Sequence, residues 1–184
     1  MPMYVLARLA AKLIAASGHS VLLHGWNSAA SGVSDVRAVL AALEIPGVES
    51  PTAAADALAA CGVAYAPLEA LDMAAYDLLR LRDVLGLRSP INTAVRAMNP
   101  SGAETSLQGV FHPVYRALQQ DVGGLLGQTR LLVLKGGGGE FERHPGKTVE
   151  LLGLVEGAVQ DREAPPLLED GRKRVAEAAV ADIV

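Results

Sequence analysis

The fold class is set by the stretch from Val21 to Leu43, which reads VLLHGWNSAASGVSDVRAVLAAL. It opens with a short apolar run of the kind that forms a buried strand, and this run leads directly into His24-Gly25. A loop rich in Ser, Ala and Gly follows, and Ser34 or Asp35 is placed to cap a helix whose apolar residues recur at helical spacing. The stretch therefore predicts a strand-loop-helix unit.

The same alternation continues on both sides of this unit. Further helices are predicted over residues 4–16, 51–61, 74–85, 91–98 and 113–126, and further strands over 63–66, 107–111, 131–134 and 148–155. Residues 161–166 are expected to form a loop and 168–183 a terminal helix. Alternating strands and helices are typical of an α/β fold with a mostly parallel sheet flanked by helices. In such folds the ligand loops lie at the carboxyl ends of the strands. We predict a single α/β domain over residues 1–184.

The composition indicates a globular protein of the cytoplasm. Of the 184 residues, 51% are apolar and 20% charged, which suits one folded core. The net charge of −4 provides no overall attraction to nucleic acid. The single cysteine, Cys61, cannot form an internal disulfide, which fits a reducing compartment. No stretch approaches the roughly 18 uninterrupted apolar residues of a membrane span, so no membrane partner is expected.

Two loops that follow predicted strands are candidate ligand sites. The first, residues 24–35, offers backbone N–H groups and hydroxyls to a phosphate, with a helix N-terminus behind it. The alternative is a plain connection between strand and helix. In the second, residues 135–145, Lys135 precedes four glycines that let the backbone approach a ligand, and Glu140 or Glu142 is available to a hydrated Mg²⁺. Its glycine spacing matches neither a Walker loop nor a dinucleotide fingerprint.

Three motifs occur in an order and spacing that resemble a known family. Gly86–Asn92, Asn99-Pro100 and Gly109–Pro113 are similar to the Gly-x-Arg-Thr-x-Phe-Asn, Asn-Pro and Gly-Val-Tyr-x-Pro series of anthranilate phosphoribosyltransferases. Upstream, His24-Gly25 resembles the Lys-His-Gly-Asn-Arg segment that precedes the family's serine-rich phosphate loop. The similarity covers residues 3–152.

This resemblance implies a fold and a reaction. The fold is the large α/β domain of the nucleoside phosphorylase/phosphoribosyltransferase fold, in glycosyltransferase family 3. We expect the family's small N-terminal helical domain to be absent, because its Gly-Thr-Gly-Gly-Asp phosphate loop would fall before Met1. The reaction implied is transfer of a phosphoribosyl, or pentosyl, group from a diphosphorylated ribose donor with Mg²⁺. The expected ligand is a phosphorylated sugar or nucleotide.

The resemblance also assigns the candidate site residues, and it implies no side-chain nucleophile. His24 and Gly25 match residues beside the aromatic acceptor, and Arg82 matches an arginine that contacts the acceptor's carboxylate. The implied substrate-binding residues are His24, Gly25, Asn27, Ser28, Ser31, Arg82 and Asn92; the phosphate-binding residues are Lys135, Gly136 and Gly137; the Mg²⁺ ligand is Glu140.

Departures from the family pattern raise the question of whether catalysis survives. Leu23 replaces the lysine, the Asn-Arg pair is not retained, the phosphate loop is about two residues shorter, and Phe141 occupies the second position of the magnesium motif. Activity is therefore expected to be weak or lost, as in a divergent branch of the family. The alternative is a non-catalytic protein that binds nucleic acid through a basic groove across a dimer. The nearest approach to such a basic stripe is formed by Arg80, Arg82, Arg88 and Arg96.

The first helix carries an apolar stripe that the helical domain covers in relatives. Its members are Val5, Leu6, Leu9, Leu13 and Ile14. If the stripe is only partly covered here, the chain is expected to form a homo-oligomer or to need the missing helical segment. The alternative is a helix buried against its own sheet, above all at Leu9 and Leu13.

Overall fold

The computed structural model describes residues 3–26, 36–87, 89–136, 141 and 143–168. They form two compact units: the N-terminal unit, up to Val95, and the C-terminal unit, from Arg96. The chain passes from one to the other within a 3-10 turn, Val95–Ala97. No helix in the described ranges is long and apolar enough to cross a membrane.

The N-terminal unit has the predicted alternation of helices and strands. In chain order it contains α1 (Met3–Ala16), β1 (Val21–Gly25), α2 (Val36–Ala42), α3 (Pro51–Cys61), β2 (Val63–Pro67), α4 (Leu68–Leu71), α5 (Met73–Leu85) and α6 (Ile91–Ala94). The predicted elements are confirmed within a few residues, and only the short helix α4 was not predicted. The predicted caps of α2, Ser34 and Asp35, lie outside the described residues.

Local chemistry fixes where the longer helices begin and end. Helix α3 begins with Pro51 after Ser50, whose hydroxyl accepts a hydrogen bond from the N–H of the third residue of the helix. It ends at Gly62, which adopts a φ of 73°. Asp72 caps α5 in the same way, and Gly86, with a φ of 66°, ends it. A positive φ suits glycine because it has no Cβ.

Strands β1 and β2 pair in parallel, from Val21↔Val63 to Gly25↔Pro67. One face of this pair supports a core whose members are buried hydrophobic residues from α1, α2 and β2 and the segment after α2: Ala11, Val39, Leu40, Leu43, Ile45, Val63 and Tyr65. The other face packs against α3, around Val48, Ala64 and Ala66.

Helix α1 meets this core through Ala11, with Leu9 and Ala15 packed against it. Ala11 is buried, Leu9 is partly buried, and Leu13 is 72% exposed. The alternative of burying Leu13 is therefore wrong: an alanine face allows the helix closer to the sheet, which leaves Leu13 on the outer side. Lys12, next to Ala11, donates a hydrogen bond of 2.7 Å to the carbonyl of Leu43, just beyond the end of α2. The side chains of Val5 and Leu6 lie outside the described part.

The C-terminal unit is built on one mixed sheet and one long helix. In chain order it contains β3 (Thr105–Val110), α7 (Val114–Leu125), β4 (Arg130–Lys135), β5 (Val149–Val155), β6 (Ala158–Val159) and β7 (Arg162–Ala164). Strands β3 and β4 are parallel, whereas β5 pairs antiparallel with β4, β6 and β7. The predicted loop at 161–166 thus includes a short strand. The predicted terminal helix at 168–183 falls almost entirely outside the described residues.

These pairings confirm the α/β class and correct one detail of it. The sheet was expected to be mostly parallel, but three of the five strand pairings in the described ranges are antiparallel. For β6 and β7 the physical reason is the connection after β5. A parallel partner requires a crossover of a dozen or more residues, whereas β5 turns back at once through Glu156 and Gly157, which have φ values of 54° and 77°.

A buried amide joins α7 to this sheet. Gln120 is 6% exposed, and its side-chain N–H group donates to the carbonyl of Gly153 at 2.8 Å and to the carboxylate of Asp161 at 2.6 Å. The same carboxylate oxygen accepts from the N–H of Gly153 at 3.3 Å. Helix, central antiparallel strand and following hairpin are therefore linked through one polar cluster beside the core of Val110, Leu131, Val133 and Leu154.

Asn99, from the Asn-Pro motif, closes a turn before β3. Its side chain donates to the carbonyl of Ala103 at 2.7 Å and accepts from the N–H of the same residue at 2.9 Å. It also donates to the side-chain oxygen of Gln128 at 3.0 Å, and Gln128 donates to the Ala103 carbonyl. The motif residue thus braces the amino ends of β3 and β4, away from their carboxyl ends.

Gly153→Ala is expected to destabilise the chain by about 1–3 kcal/mol, the usual cost of overpacking. A Cβ at this position would lie 2.8 Å from the carbonyl oxygen of Leu131 and 3.2 Å from that of Gln160, and backbone atoms cannot easily move away. Gly124→Ala is the control, because a Cβ in that exposed helical position meets no atom within 4 Å. Urea unfolding should show no loss for the control, and equal stability of the two variants would contradict the packing described.

Candidate functional site

The carboxyl ends of β1 and β2 form the first edge at which site residues were predicted. His24 and Gly25 are the last two residues of β1, and both are half-buried. Gly25 has a φ of 151°, and its carbonyl accepts a hydrogen bond of 3.1 Å from the hydroxyl of Tyr65. The structure therefore places His24 and Gly25 at a strand end, as expected. Asn27, Ser28 and Ser31 lie outside the described residues.

A groove lies beside this edge and shares Tyr65 and Pro67 with it. Its volume is about 570 Å³, within the usual range for small-ligand pockets. Its walls are mostly apolar, with Glu49 and Glu69 as the charged lining residues. Sequence reasoning did not find this groove, because it depends on the segment around Gly47, which pairs with Tyr65. The only sequence signal for it is the proline that ends β2.

Arg82 and Asn92 belong to the N-terminal unit as well. Arg82 lies half-buried in the last turn of α5. Asn92 lies in α6, and its side-chain amide donates to the carbonyl of Ser89 at 3.1 Å, while its own backbone N–H donates to the same carbonyl. The motif asparagine thus closes the turn that begins α6.

The second edge lies at the carboxyl ends of β3 and β4. Lys135 is the exposed last residue of β4 and pairs with Val110. Gly136 follows it and is buried, and its N–H donates to the Val110 carbonyl at 3.1 Å. Gly137 and Glu140 lie outside the described residues. Lys135 and Gly136 are thus in the C-terminal unit, whereas His24, Gly25, Arg82 and Asn92 are in the N-terminal unit.

Aromatic rings occupy the start of the segment that follows β3. The rings of Phe111 and His112 meet edge to face with centroids 4.7 Å apart, and the His112 and Tyr115 centroids are 6.3 Å apart. His112 directly precedes Pro113, the N-terminal cap of α7, as predicted for a helix-start turn. Phe111 and Tyr115 remain 49% and 39% exposed. This aromatic group was not predicted as part of the site.

The arginines considered as a basic stripe have separate structural settings. Arg96 donates a hydrogen bond of 2.6 Å to the carbonyl of Gly109 in β3. The guanidinium of Arg80 lies 5.8 Å from the ring centre of Tyr76, in cation–π geometry. Arg88 lies outside the described residues. The structure therefore gives at least two of the four a role within the fold.

Metal-ligating side chains do not cluster in the described part of the chain, where no group of three or more His, Cys, Asp or Glu residues is placed to bind a metal ion. The predicted ligand, Glu140, is not among the residues covered by that statement. Mg²⁺ is commonly held by one or two carboxylates together with substrate phosphates. A dedicated protein cage is therefore not required for the expected cation.

Comparisons with known proteins agree with the motif order. No protein-family model matches the chain. The anthranilate phosphoribosyltransferase of Bordetella pertussis is 33% identical over 155 residues, which cover 83% of this chain and 44% of the relative. That of Methylocella silvestris is 33% identical over 187 residues, covering 98% of the chain and 50% of the relative.

A solved structure supports the same relation. The crystal structure of anthranilate phosphoribosyltransferase from Thermus thermophilus aligns with a TM-score of 0.65 and 26% identity, over 86% of this chain and 46% of that one. The chain spans about half the length of the curated relatives it matches. Sequence identity and fold agree, and the chain is therefore similar to about half of an anthranilate phosphoribosyltransferase.

Proposed function

We propose that this protein binds a phosphoribosyl diphosphate-type ligand on a phosphoribosyltransferase scaffold, and that its transfer activity is weak or lost. The observation that carries the proposal is the position of the candidate residues: His24-Gly25 ends β1, and Lys135 ends β4 with Gly136 directly after it, each strand belonging to a parallel pair. Open α/β sheets bind ligands at such carboxyl ends. We further expect the protein to reside in the cytoplasm.

Phosphoribosyl transfer requires stabilisation of a leaving anion. In phosphoribosyl transfer an acceptor nitrogen bonds to the anomeric carbon of the ribose, the bond to the diphosphate oxygen breaks, and diphosphate leaves with the electron pair. Lys135 and the N–H groups of Gly136 and Gly137 would offset that charge, together with Asn27, Ser28 and Ser31. Mg²⁺, if bound near Glu140, would supply further charge to the diphosphate.

The acceptor would be held by the residues of the N-terminal unit. His24 and Gly25 would lie beside its ring, and the guanidinium of Arg82 would pair with its carboxylate. Asn92 would contribute through the turn it closes at Ser89. Catalysis on this scaffold needs positioning and charge stabilisation and no side-chain nucleophile.

The 184-residue chain is expected to show no appreciable anthranilate phosphoribosyltransferase activity. Leu23 and Phe141 stand where the family has a lysine and a carboxylate, and no Gly-Thr-Gly-Gly-Asp loop occurs in the sequence. Loss of two charged hydrogen bonds, each about 1.5–3 kcal/mol, removes about two to four decades of rate. Anthranilate consumption with phosphoribosyl diphosphate and Mg²⁺ measures this, with the Bordetella pertussis enzyme as positive control. Robust Mg²⁺-dependent product formation would contradict the prediction.

Lys135→Met is expected to weaken binding of phosphoribosyl diphosphate by about tenfold or more, because a charge-assisted hydrogen bond to phosphate is lost. The matched control is Arg130→Met, at the opposite end of the same strand, where the arginine forms only an exposed ion pair of 3.3 Å with Glu104. Calorimetric titration with Mg²⁺ present compares the two variants. Equal affinities for both would show that the carboxyl end of β4 does not bind the phosphate.

We also expect the chain to self-associate through apolar side chains that it leaves exposed. On α5, Leu78, Leu81 and Leu85 recur at helical spacing with exposures of 45%, 45% and 63%. Burying such a face yields about 25 cal/mol per Å². Sedimentation over a concentration series should show association that Leu81→Gln weakens and Leu126→Gln, in the other unit, does not. A monomer at every concentration would refute this expectation.

A further inference from the structure

The end of the β1–β2 ladder is held by a side chain. The two strands pair as far as Gly25↔Pro67, and the chain then turns into α4 at Leu68. Pro67 has no N–H group, so the pairing ends there. The carbonyl oxygen of half-buried Gly25 instead accepts a hydrogen bond of 3.1 Å from the hydroxyl of Tyr65, 40 residues away in sequence.

Tyr65 is well placed to hold this carbonyl still. It is 7% exposed, belongs to the core with Val63 and Ile45, and is bonded through its backbone to Pro46 and Val48. A side chain buried to this extent has few rotamers available, so its hydroxyl occupies a fixed position. The tyrosine also lines the groove beside the strand ends.

Gly25, by contrast, is a residue whose backbone is intrinsically free. Its φ of 151° is one that side-chain-bearing residues rarely adopt, and a Cβ there would meet no atom within 4 Å. Neither a side chain nor tight packing around Cα therefore fixes the orientation of the peptide between Gly25 and Trp26. The hydroxyl of Tyr65 is a contact that does.

We infer that Tyr65 is a positioning residue: its hydroxyl orients the Gly25–Trp26 peptide at the carboxyl end of β1, the edge at which the proposed ligand binds. The expected effect on ligand affinity rests on the proposed function, whereas the expected effect on the Gly25–Trp26 peptide does not. Tyr65 itself need not contact the ligand. Its role is to keep the Gly25 backbone from sampling orientations in which the strand end and Trp26 are displaced.

Tyr65→Phe tests this inference because it removes one oxygen atom and leaves the packing ring. Trp26 is the single tryptophan and directly follows Gly25, so its fluorescence reports on this peptide. The variant should show stronger acrylamide quenching of Trp26 and about three- to tenfold weaker binding of phosphoribosyl diphosphate, the effect of one ordinary hydrogen bond. Tyr115→Phe, a hydroxyl removed from the C-terminal unit, is the control and should change neither.

The outcomes separate the positioning role from the proposed function. If Tyr65→Phe lowers only the melting temperature, with quenching and affinity unchanged, the tyrosine is merely structural and the inference is overturned. If the unsubstituted protein binds no phosphoribosyl diphosphate, the proposed function fails, and the quenching comparison alone then decides: increased quenching in Tyr65→Phe supports the inference, and unchanged quenching overturns it.

Discussion

Parallel pairing of strands is the constraint on which both candidate edges depend. Parallel neighbours run in the same direction, so the chain must cross back between them, and it leaves each strand at the same edge. In the N-terminal unit the crossover contains α2 and α3, and in the C-terminal unit it contains α7. Residues far apart in sequence, such as Gly25 and Pro67 or Val110 and Lys135, therefore end side by side.

Hydrogen bonds from side chains to backbone carbonyls then join the elements within each unit. Lys12 binds the carbonyl beyond α2, Gln120 binds that of Gly153, and Arg96 binds that of Gly109. A polar backbone group left unpaired in a folded interior costs free energy, so each of these contacts is worth more than its exposed counterpart. Apolar packing supplies the cores, and these polar contacts fix how the elements meet.

The sequence was most informative where the signal is local. Helices α3 and α5 could be bounded to within a residue because a Ser or Asp cap, a proline at the start and a glycine at the end act within a few residues. The antiparallel partners of β5 could not be predicted, because an apolar run such as Val149–Val155 reads the same in either direction. The exposure of Leu13 could not be predicted either, because helical spacing does not show which side of the helix faces the sheet.

In the candidate site, too, features set by local sequence could be predicted and contacts between distant segments could not. Strand ends could be predicted from the sequence, and the structure has His24, Gly25, Lys135 and Gly136 at or directly after strand ends. The contacts of Tyr65 with Gly25 and of Arg96 with Gly109 were missed, because they join segments whose proximity exists only in the fold.

The two motif asparagines have a consequence for how such a scaffold evolves. Asn92 and Asn99 form hydrogen bonds that close turns within the fold. A side chain that closes a turn is needed for folding whether or not the protein catalyses a reaction. Motifs of this kind therefore indicate common descent and do not by themselves indicate a shared activity.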